Sequence, residues 1–249
     1  MAPLPGSPAI TDLANIAVVA NICSGFRGSE APLQTFLRSR FTSSFIETFI
    51  LDFQCSPASS IYPGSALLRF LPSQDLIQIL PGARPLPERL ALSDLSCRNL
   101  LAEAAAFLRR PVPEECLTDD TIDTYARVLG LCYRFGEERP RFDDVRTYGD
   151  AYANCLRFAD WAQRKGHLVP LAQMGFCLCL IDPDHDIAPM LADVISSQRP
   201  DGSFPTRLGF GTADQDGAAL QPTLAALAAL QIATHGRWHG LPPSVPLAA

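Results

Sequence analysis

The chain has 249 residues, of which 47% are hydrophobic and only 18% are charged. That length fits one large or two small domains, and the apolar content is sufficient to bury a large core. The formal net charge of −6 argues against nucleic-acid binding, which needs concentrated positive charge. No apolar run reaches the ~20 residues of a membrane-spanning helix. We therefore expect neither a nucleic-acid partner nor stable membrane insertion.

Cysteine usage indicates the compartment. Eight cysteines are spread along the chain without a Cys-x-x-Cys pair. Most of them fall in segments that are predicted to be helical, where a free cysteine behaves as a small apolar residue. The apolar run at 14–23 lacks the preceding basic residues of a signal peptide. The pattern predicts reduced thiols and a cytoplasmic location.

The first part of the chain, residues 1–93, predicts short helices followed by a proline-rich linker. Thr11 is a suitable N-cap for a first helix, and residues 31–53 form a second helical segment. Prolines recur through residues 62–93, which favours short helices and turns. We expect residues 94–249 to form one compact helical unit after this region.

Helices of two kinds alternate from residue 94 onward. Amphipathic helices are predicted at 94–109, 151–164 and 187–198. A second set is predicted at 119–135, 168–181 and 222–233. The last two are apolar nearly all round, which is typical of helices buried on every side. The second set repeats every ~50 residues, as in helix-pair repeats. This alternation predicts an all-α fold with an outer and an inner row of helices.

A polar turn separates the last two of these helices. The turn, Gln198-Arg199-Pro200-Asp201-Gly202-Ser203-Phe204, has the form Gln-x-x-Asp-Gly-x-Phe. Together with the helix alternation it resembles the repeat of the α/α-toroid superfamily, which includes terpene cyclases and the β subunits of protein prenyltransferases. The resemblance covers roughly residues 94–240 and implies a toroid-like fold. Three helix pairs make about half of a closed toroid, so the ring is open, or is completed by residues 1–93 or by a partner. The alternative fold is a helical bundle around a central hydrophobic helix.

The inner helices suggest where a site lies. If they run in parallel, their N-termini gather at one end of the molecule. The polar residues near these three N-termini are Asp119, Asp120, Asp123, His167, Asp214 and Asp216. Carboxylates are favoured at helix N-termini by the macrodipole and the unpaired amides. A carboxyl group in an apolar cavity has a raised pKa and can act as a general acid.

A short motif at the first N-terminus suggests a reaction. Leu117-Thr118-Asp119-Asp120-Thr121 resembles the Asp-x-Asp-Asp-Thr motif of class II terpene cyclases, whose central aspartate protonates an alkene or epoxide. On that resemblance Asp119 is the acid, with Asp120 beside it. The motif's first aspartate is Leu117 here, so the carboxyl group that helps to set the donor's hydrogen bonding is absent.

Other interpretations of these residues remain open. Asp119 and Asp120 follow Thr118, and one alternative is that they merely cap and charge the first turn of the helix. Asp123 and Arg127 have the spacing of an i,i+4 surface pair. Asp214 and Asp216 lie in a glycine-rich loop, where aspartate is a common turn former. Residues 119–123 also match the DDxxD motif of class I terpene synthases, which holds a magnesium ion. Here the motif opens a helix and lacks a distant second metal motif, so we reject a magnesium site.

Metal and cofactor motifs are otherwise missing. A zinc site like that of the protein prenyltransferases needs aspartate, cysteine and histidine together. Asp214 or Asp216 with His235 or His239 lacks the cysteine. No phosphate-binding loop or dinucleotide fingerprint is present. We predict neither a metal nor a cofactor.

These features predict a small cyclase or isomerase that uses general acid catalysis on an apolar isoprenoid or polyene intermediate. The predicted catalytic residues are Asp119 and Asp120. The predicted substrate-binding residues are Asp123, Tyr125, His167, Asp214, Asp216 and Trp238, of which Tyr125 and Trp238 are aromatic rings able to stabilise a cation. The alternative is a non-catalytic helical-repeat module that binds an apolar ligand or a partner protein. The low charge content is also compatible with a face hidden in a homo-oligomer.

Overall fold

A computed structural model describes residues 86–92, 98–136, 138–209 and 219–235, with a few single positions nearer the N-terminus. Most of the predicted N-terminal helical region and linker lies outside these residues. So do Asp214, Asp216 and Trp238. In the part described, helices predominate and no strand occurs, which confirms the all-α class.

The α-helices with described bounds are α1 (Leu86–Leu92), α2 (Arg98–Arg109), α3 (Asp119–Cys132), α4 (Arg146–Lys165), α5 (Leu168–Ile181), α6 (Ala188–Ser196) and α7 (Leu220–His235). Short 3-10 turns at Glu114–Cys116 and Arg134–Gly136 flank α3. The predicted bounds of α5 are confirmed. The helix predicted at 119–135 ends at Cys132 instead, because Arg134 and Phe135 adopt positive φ angles that no helix can continue through.

Local sequence explains where α3 and α4 begin and end. The hydroxyl group of Thr118 accepts a hydrogen bond from the Thr121 amide at 3.1 Å, which caps α3. Gly166 ends α4 in the left-handed region at φ 70°, which glycine adopts without steric cost. Arg164 and Lys165 lie in the last turn of α4, where positive charge complements the helix dipole.

Helix α5 lies at the centre of the described core. Twelve of its 14 residues are buried, and only Val169 and Gln173 are partly exposed. It packs against α3, α4, α6 and α7. The prediction that this segment is buried on all sides is confirmed.

The neighbours of each helix define two rows. In one row α1 packs against α3, α3 against α5, and α5 against α7. In the other α2 packs against α4, and α6 lies against both α5 and α7. Among the described helices, every second one from α1 to α7 therefore joins one row, as the alternation of buried and amphipathic segments predicts. Closure into a toroid stays a prediction.

Two buried polar side chains, one from α3 and one from α4, form hydrogen bonds with the end of α2. The Tyr125 hydroxyl group donates to the Leu108 carbonyl at 2.8 Å, and the Asn154 amide donates to the same carbonyl at 2.9 Å. Leu108 lies in the last turn of α2, whose carbonyl groups have no partner within the helix. Residues of α3 and α4 thereby satisfy the end of α2.

The Gln198–Phe204 segment is the turn that the sequence predicts. The Gln198 side-chain amide donates to the Gly202 carbonyl at 3.0 Å, and the Ser203 amide donates to the Asp201 carboxylate at 2.9 Å. Gly202 has a φ of 86°, which a residue with a side chain rarely adopts. Phe204 is buried beyond the turn. The turn closes α6 and directs the chain back across the end of α5.

Some residues from the N-terminal region contribute to the same core. Leu13, Ile16, Ala17, Val19 and Ala20 are buried in one hydrophobic cluster with residues of α2 to α7. The division of the chain at residue 93 stays a prediction. Among the described residues, no helix combines the length and apolar content needed to cross a membrane.

Candidate functional site

Helices α3 and α5 run parallel. His167 contacts Asp119, Gln173 contacts Asp123, and the Cys177 thiol lies 4.0 Å from the Ala126 carbonyl oxygen. Residue numbers thus rise together along both helices, which places both N-termini at the same end.

The N-terminus of α7 joins this end through the chain that follows the turn. The Leu168 amide donates to the Thr206 carbonyl at 3.1 Å, and the Phe204 amide donates to the Thr223 hydroxyl group at 3.0 Å. Since Thr223 lies near the beginning of α7, residues 204–206 tie the N-terminus of α5 to that of α7. The three inner N-termini predicted to converge lie together.

Asp119 and His167 form a hydrogen-bonded pair at this end. The imidazole Nδ1 lies 2.5 Å from Asp119 Oδ1. The His167 side chain is 19% exposed and the Asp119 side chain is 55% exposed. A carboxylate that accepts a hydrogen bond from Nδ1–H leaves Nε2 as the unprotonated nitrogen of a neutral ring. Among the described residues, none forms a hydrogen bond with Nε2.

Several contacts fix the position of His167. Its ring lies against the ring of Trp161, with centroids 5.2 Å apart and planes tilted by 50°. Its backbone forms an isolated antiparallel bridge with Arg207, and the Leu208 amide donates to the Gly166 carbonyl at 2.9 Å. The histidine is therefore held by its backbone, by an aromatic face and by a carboxylate.

A second polar contact lies further along the same two helices. Asp123 Oδ2 accepts from Arg127 Nε at 2.6 Å, and Asp123 Oδ1 accepts from the Gln173 amide at 2.8 Å. The predicted Asp123–Arg127 pair is confirmed, although both side chains are only about a quarter exposed, at 23% and 25%. Gln173 Oε1 is buried and has no hydrogen-bond partner.

The structure places the remaining predicted site residues differently. Asp120 is exposed on α3. Tyr125 is 1% exposed and packs edge-on against Phe158, which is the environment of a core residue. Burial raises its pKa well above the usual range. The predicted substrate-binding residues Asp214, Asp216 and Trp238 lie outside the described residues.

Asp119 is the more exposed member of its pair with His167, because more than half of its side chain is exposed. The N-cap at Thr118 places Asp119 in the first turn of the helix, at the surface. The less exposed member of the pair is the imidazole of His167, so the protected ionisable group here is the histidine.

Two residues of this site had not been predicted from the sequence. Trp161 lies on the amphipathic helix α4, where a tryptophan is expected in the core, and nothing local marks its contact with His167. Gln173 had a signal, because it is the one strongly polar side chain of the apolar helix α5. In the part of the chain that the structure describes, no cluster of three or more His, Cys, Asp or Glu side chains is arranged to hold a metal ion.

No protein family matches this chain, and neither a curated protein nor a solved structure is significantly similar to it.

Proposed function

We propose that this protein is a small cyclase or isomerase that transfers a proton to or from an apolar isoprenoid or polyene molecule. The observation that supports this most is the Asp119–His167 pair at the shared end of α3, α5 and α7. A histidine whose Nδ1 is held by a carboxylate has a defined tautomer and a defined ring orientation. Such a group is suited to general acid–base catalysis near neutral pH.

The proposal assigns separate roles to the two residues. His167 Nε2 takes a proton from a carbon atom beside a carbocation, or, from the doubly protonated ring, gives a proton to an epoxide oxygen. Asp119 is a positioning residue that holds Nδ1–H and stabilises the positive charge that the ring acquires. The Trp161 ring keeps one face of the imidazole away from water, and an aromatic face also favours a neighbouring cation.

Turnover of defined substrates tests the proposal. Purified protein is incubated with 10,11-epoxyfarnesol and with 2,3-oxidosqualene, and products are identified by gas chromatography and mass spectrometry. We expect a cyclised or isomerised product from the natural sequence and a loss of about 100-fold or more in His167→Gln, the usual size of a general acid–base contribution. Asp143→Asn is the matched control, since Asp143 is exposed outside the site, and should leave the rate unchanged. Unchanged turnover in His167→Gln would refute the assignment.

A non-catalytic helical-repeat module that binds an apolar ligand or a partner protein is the second candidate. It is supported by the near-complete burial of α5. This function predicts that a folded protein binds an apolar probe such as farnesol but forms no product from either substrate. The enzyme predicts binding and product together.

A further inference from the structure

Residues 206–209 form a short strap along the backbone of His167. The Leu168 amide donates to the first carbonyl group of the strap at 3.1 Å, and the Leu208 amide within the strap donates to the Gly166 carbonyl at 2.9 Å. One of these hydrogen bonds involves the residue before the histidine and the other involves the residue after it. The strap therefore fixes the backbone on both sides of His167, and with it the point from which the ring projects.

Apolar packing does little to hold the strap in place. Phe204 and Pro205, which precede it, are buried. Within the strap, Leu208 packs partly against the hydrophobic core, but none of the four residues is buried. The Arg207 guanidinium donates to the Lys165 carbonyl at 3.0 Å in an exposed position, where the same groups can bond to water at little net cost. The strap therefore depends on the hydrogen bonds of its backbone.

The far end of the strap is held by Ser197, the residue that follows α6. Its hydroxyl group accepts a hydrogen bond from the Gly209 amide at 2.9 Å and donates one to the Asp193 carbonyl at 2.9 Å. Ser197 is 4% exposed, so water does not easily replace either bond, and the loss of such a buried partner is costly. This one hydroxyl group thus joins the end of α6 to the strap beside His167.

We propose that Ser197 is a positioning residue for His167. Its hydroxyl group fixes the strap, and the strap fixes the backbone of the histidine. The backbone in turn places the ring for its contact with Asp119. This placement concerns the ring itself and holds for either candidate function, whereas its importance for turnover rests on the proposed function.

Two neighbouring serines provide a matched comparison. Ser196 donates to the same Asp193 carbonyl at 2.9 Å, but it is exposed and forms no hydrogen bond with the strap. Ser197→Ala and Ser196→Ala therefore remove the same atom from adjacent residues. Amide hydrogen exchange is measured by NMR. We expect the protection of the Leu168 and Leu208 amides to fall about tenfold in Ser197→Ala, the effect of one buried hydrogen bond, and to stay unchanged in Ser196→Ala.

The His167 ring provides a readout that a purely structural role would not change. The ¹⁵N chemical shifts of the ring report which nitrogen carries the proton. We expect a smaller fraction of Nδ1–H in Ser197→Ala than in the natural sequence, because a loosened strap lets the ring leave Asp119. Ser196→Ala should keep the natural fraction. Neither measurement needs a substrate, so the absence of product from both epoxides would refute the proposed function and leave this proposal standing.

Controls separate a local effect from a loss of the fold. The buried Leu178 amide of α5 reports on the core and should lose less protection than the two amides at the strap. If Ser197→Ala does not fold, Ser197→Cys replaces it, because a thiol of similar shape is a weak hydrogen-bond partner.

Four results would overturn the proposal. The first is natural exchange at Leu168 and Leu208 in the folded variant. The second is faster exchange there with an unchanged His167 tautomer. The third is an equal effect in Ser196→Ala or at Leu178. The fourth is failure of both Ser197 variants to fold, which would assign this serine to the fold as a whole.

Discussion

At the level of single residues, environment distinguishes side chains that the sequence groups together. Asp119 and Asp123 lie one turn apart on α3. Asp119 contacts a histidine at the exposed end of the helix, whereas Asp123 is neutralised by Arg127 and bonded by Gln173 in a partly buried seam. Asp119 therefore orients an imidazole ring, and Asp123 contributes to helix packing and to the orientation of an amide.

Buried thiols give a residue-level prediction about pH. Burial raises the pKa of Cys132 from 9.0 to about 12. The folded state thus keeps this thiol neutral at pH values where the unfolded chain ionises it. Its contribution to stability is complete below the unfolded pKa and is lost as pH rises through the folded pKa, by about 1.4 kcal/mol per pH unit.

We expect the free energy of unfolding, measured with urea between about pH 9 and pH 11, to fall less steeply in Cys132→Ala than in the natural sequence. The difference in slope should approach one proton. Tyr125 and Cys177, whose pKa values burial also raises, stay in both proteins and cancel from the comparison. Equal slopes would mean that Cys132 is not buried in solution.

At the level of helices and turns, local chemistry determines the ends from which the site is built. Thr118 begins α3 one residue before Asp119, and Gly166 ends α4 one residue before His167. Both site residues therefore follow directly from a capping residue. Pro170 and Pro222 are each the third residue of their helices, where a backbone N–H would have no partner within the helix, so proline is tolerated there.

A pair of glycines tests the turn that connects α6 to α7. Gly202 has a φ of 86°, so alanine there is strained although a methyl group would meet only ordinary contacts. We expect Gly202→Ala to lower the free energy of unfolding by about 1–2 kcal/mol. Gly149 lies within α4 with nothing within 4 Å of an added methyl group, and Gly149→Ala should raise it by about 0.5–1 kcal/mol.

Denaturant unfolding of both variants provides the measurement. The two substitutions add the same methyl group, so the opposite signs isolate the effect of backbone conformation. A stabilising Gly202→Ala would show that the turn does not have this conformation, and the path of residues 204–206 across the N-termini would then need revision.

At the level of the whole molecule, the periodicity of apolar residues predicted most of the helices and which of them are buried. The bounds of α5 followed from an apolar segment between His167 and Asp182. The contact between His167 and Asp119 followed only in outline, because parallel helices place their N-termini together without specifying which side chains meet. The Trp161–His167 contact depends on the angle between α4 and α5, which no local pattern encodes. The unpaired oxygen of Gln173 depends on the register of α5 against α3.

The same arrangement places the candidate site where three helices begin. Residues 204–206 connect the N-termini of α5 and α7 there. The parallel register of α3 and α5 places Asp119 next to His167. The site therefore exists only if the rows of helices are assembled as described. A measurement on one histidine ring reports on that whole arrangement.

The ¹⁵N chemical shifts of the His167 ring provide that measurement. They are recorded by long-range ¹H–¹⁵N correlation at a pH where the ring is neutral, and His167→Gln assigns the signals among the four histidines. We predict a proton on Nδ1 in the natural sequence, because Asp119 accepts it, and a shift of the tautomer towards Nε2–H in Asp119→Ala. A ring that carries its proton on Nε2 in both proteins would contradict the contact and the catalytic assignment based on it.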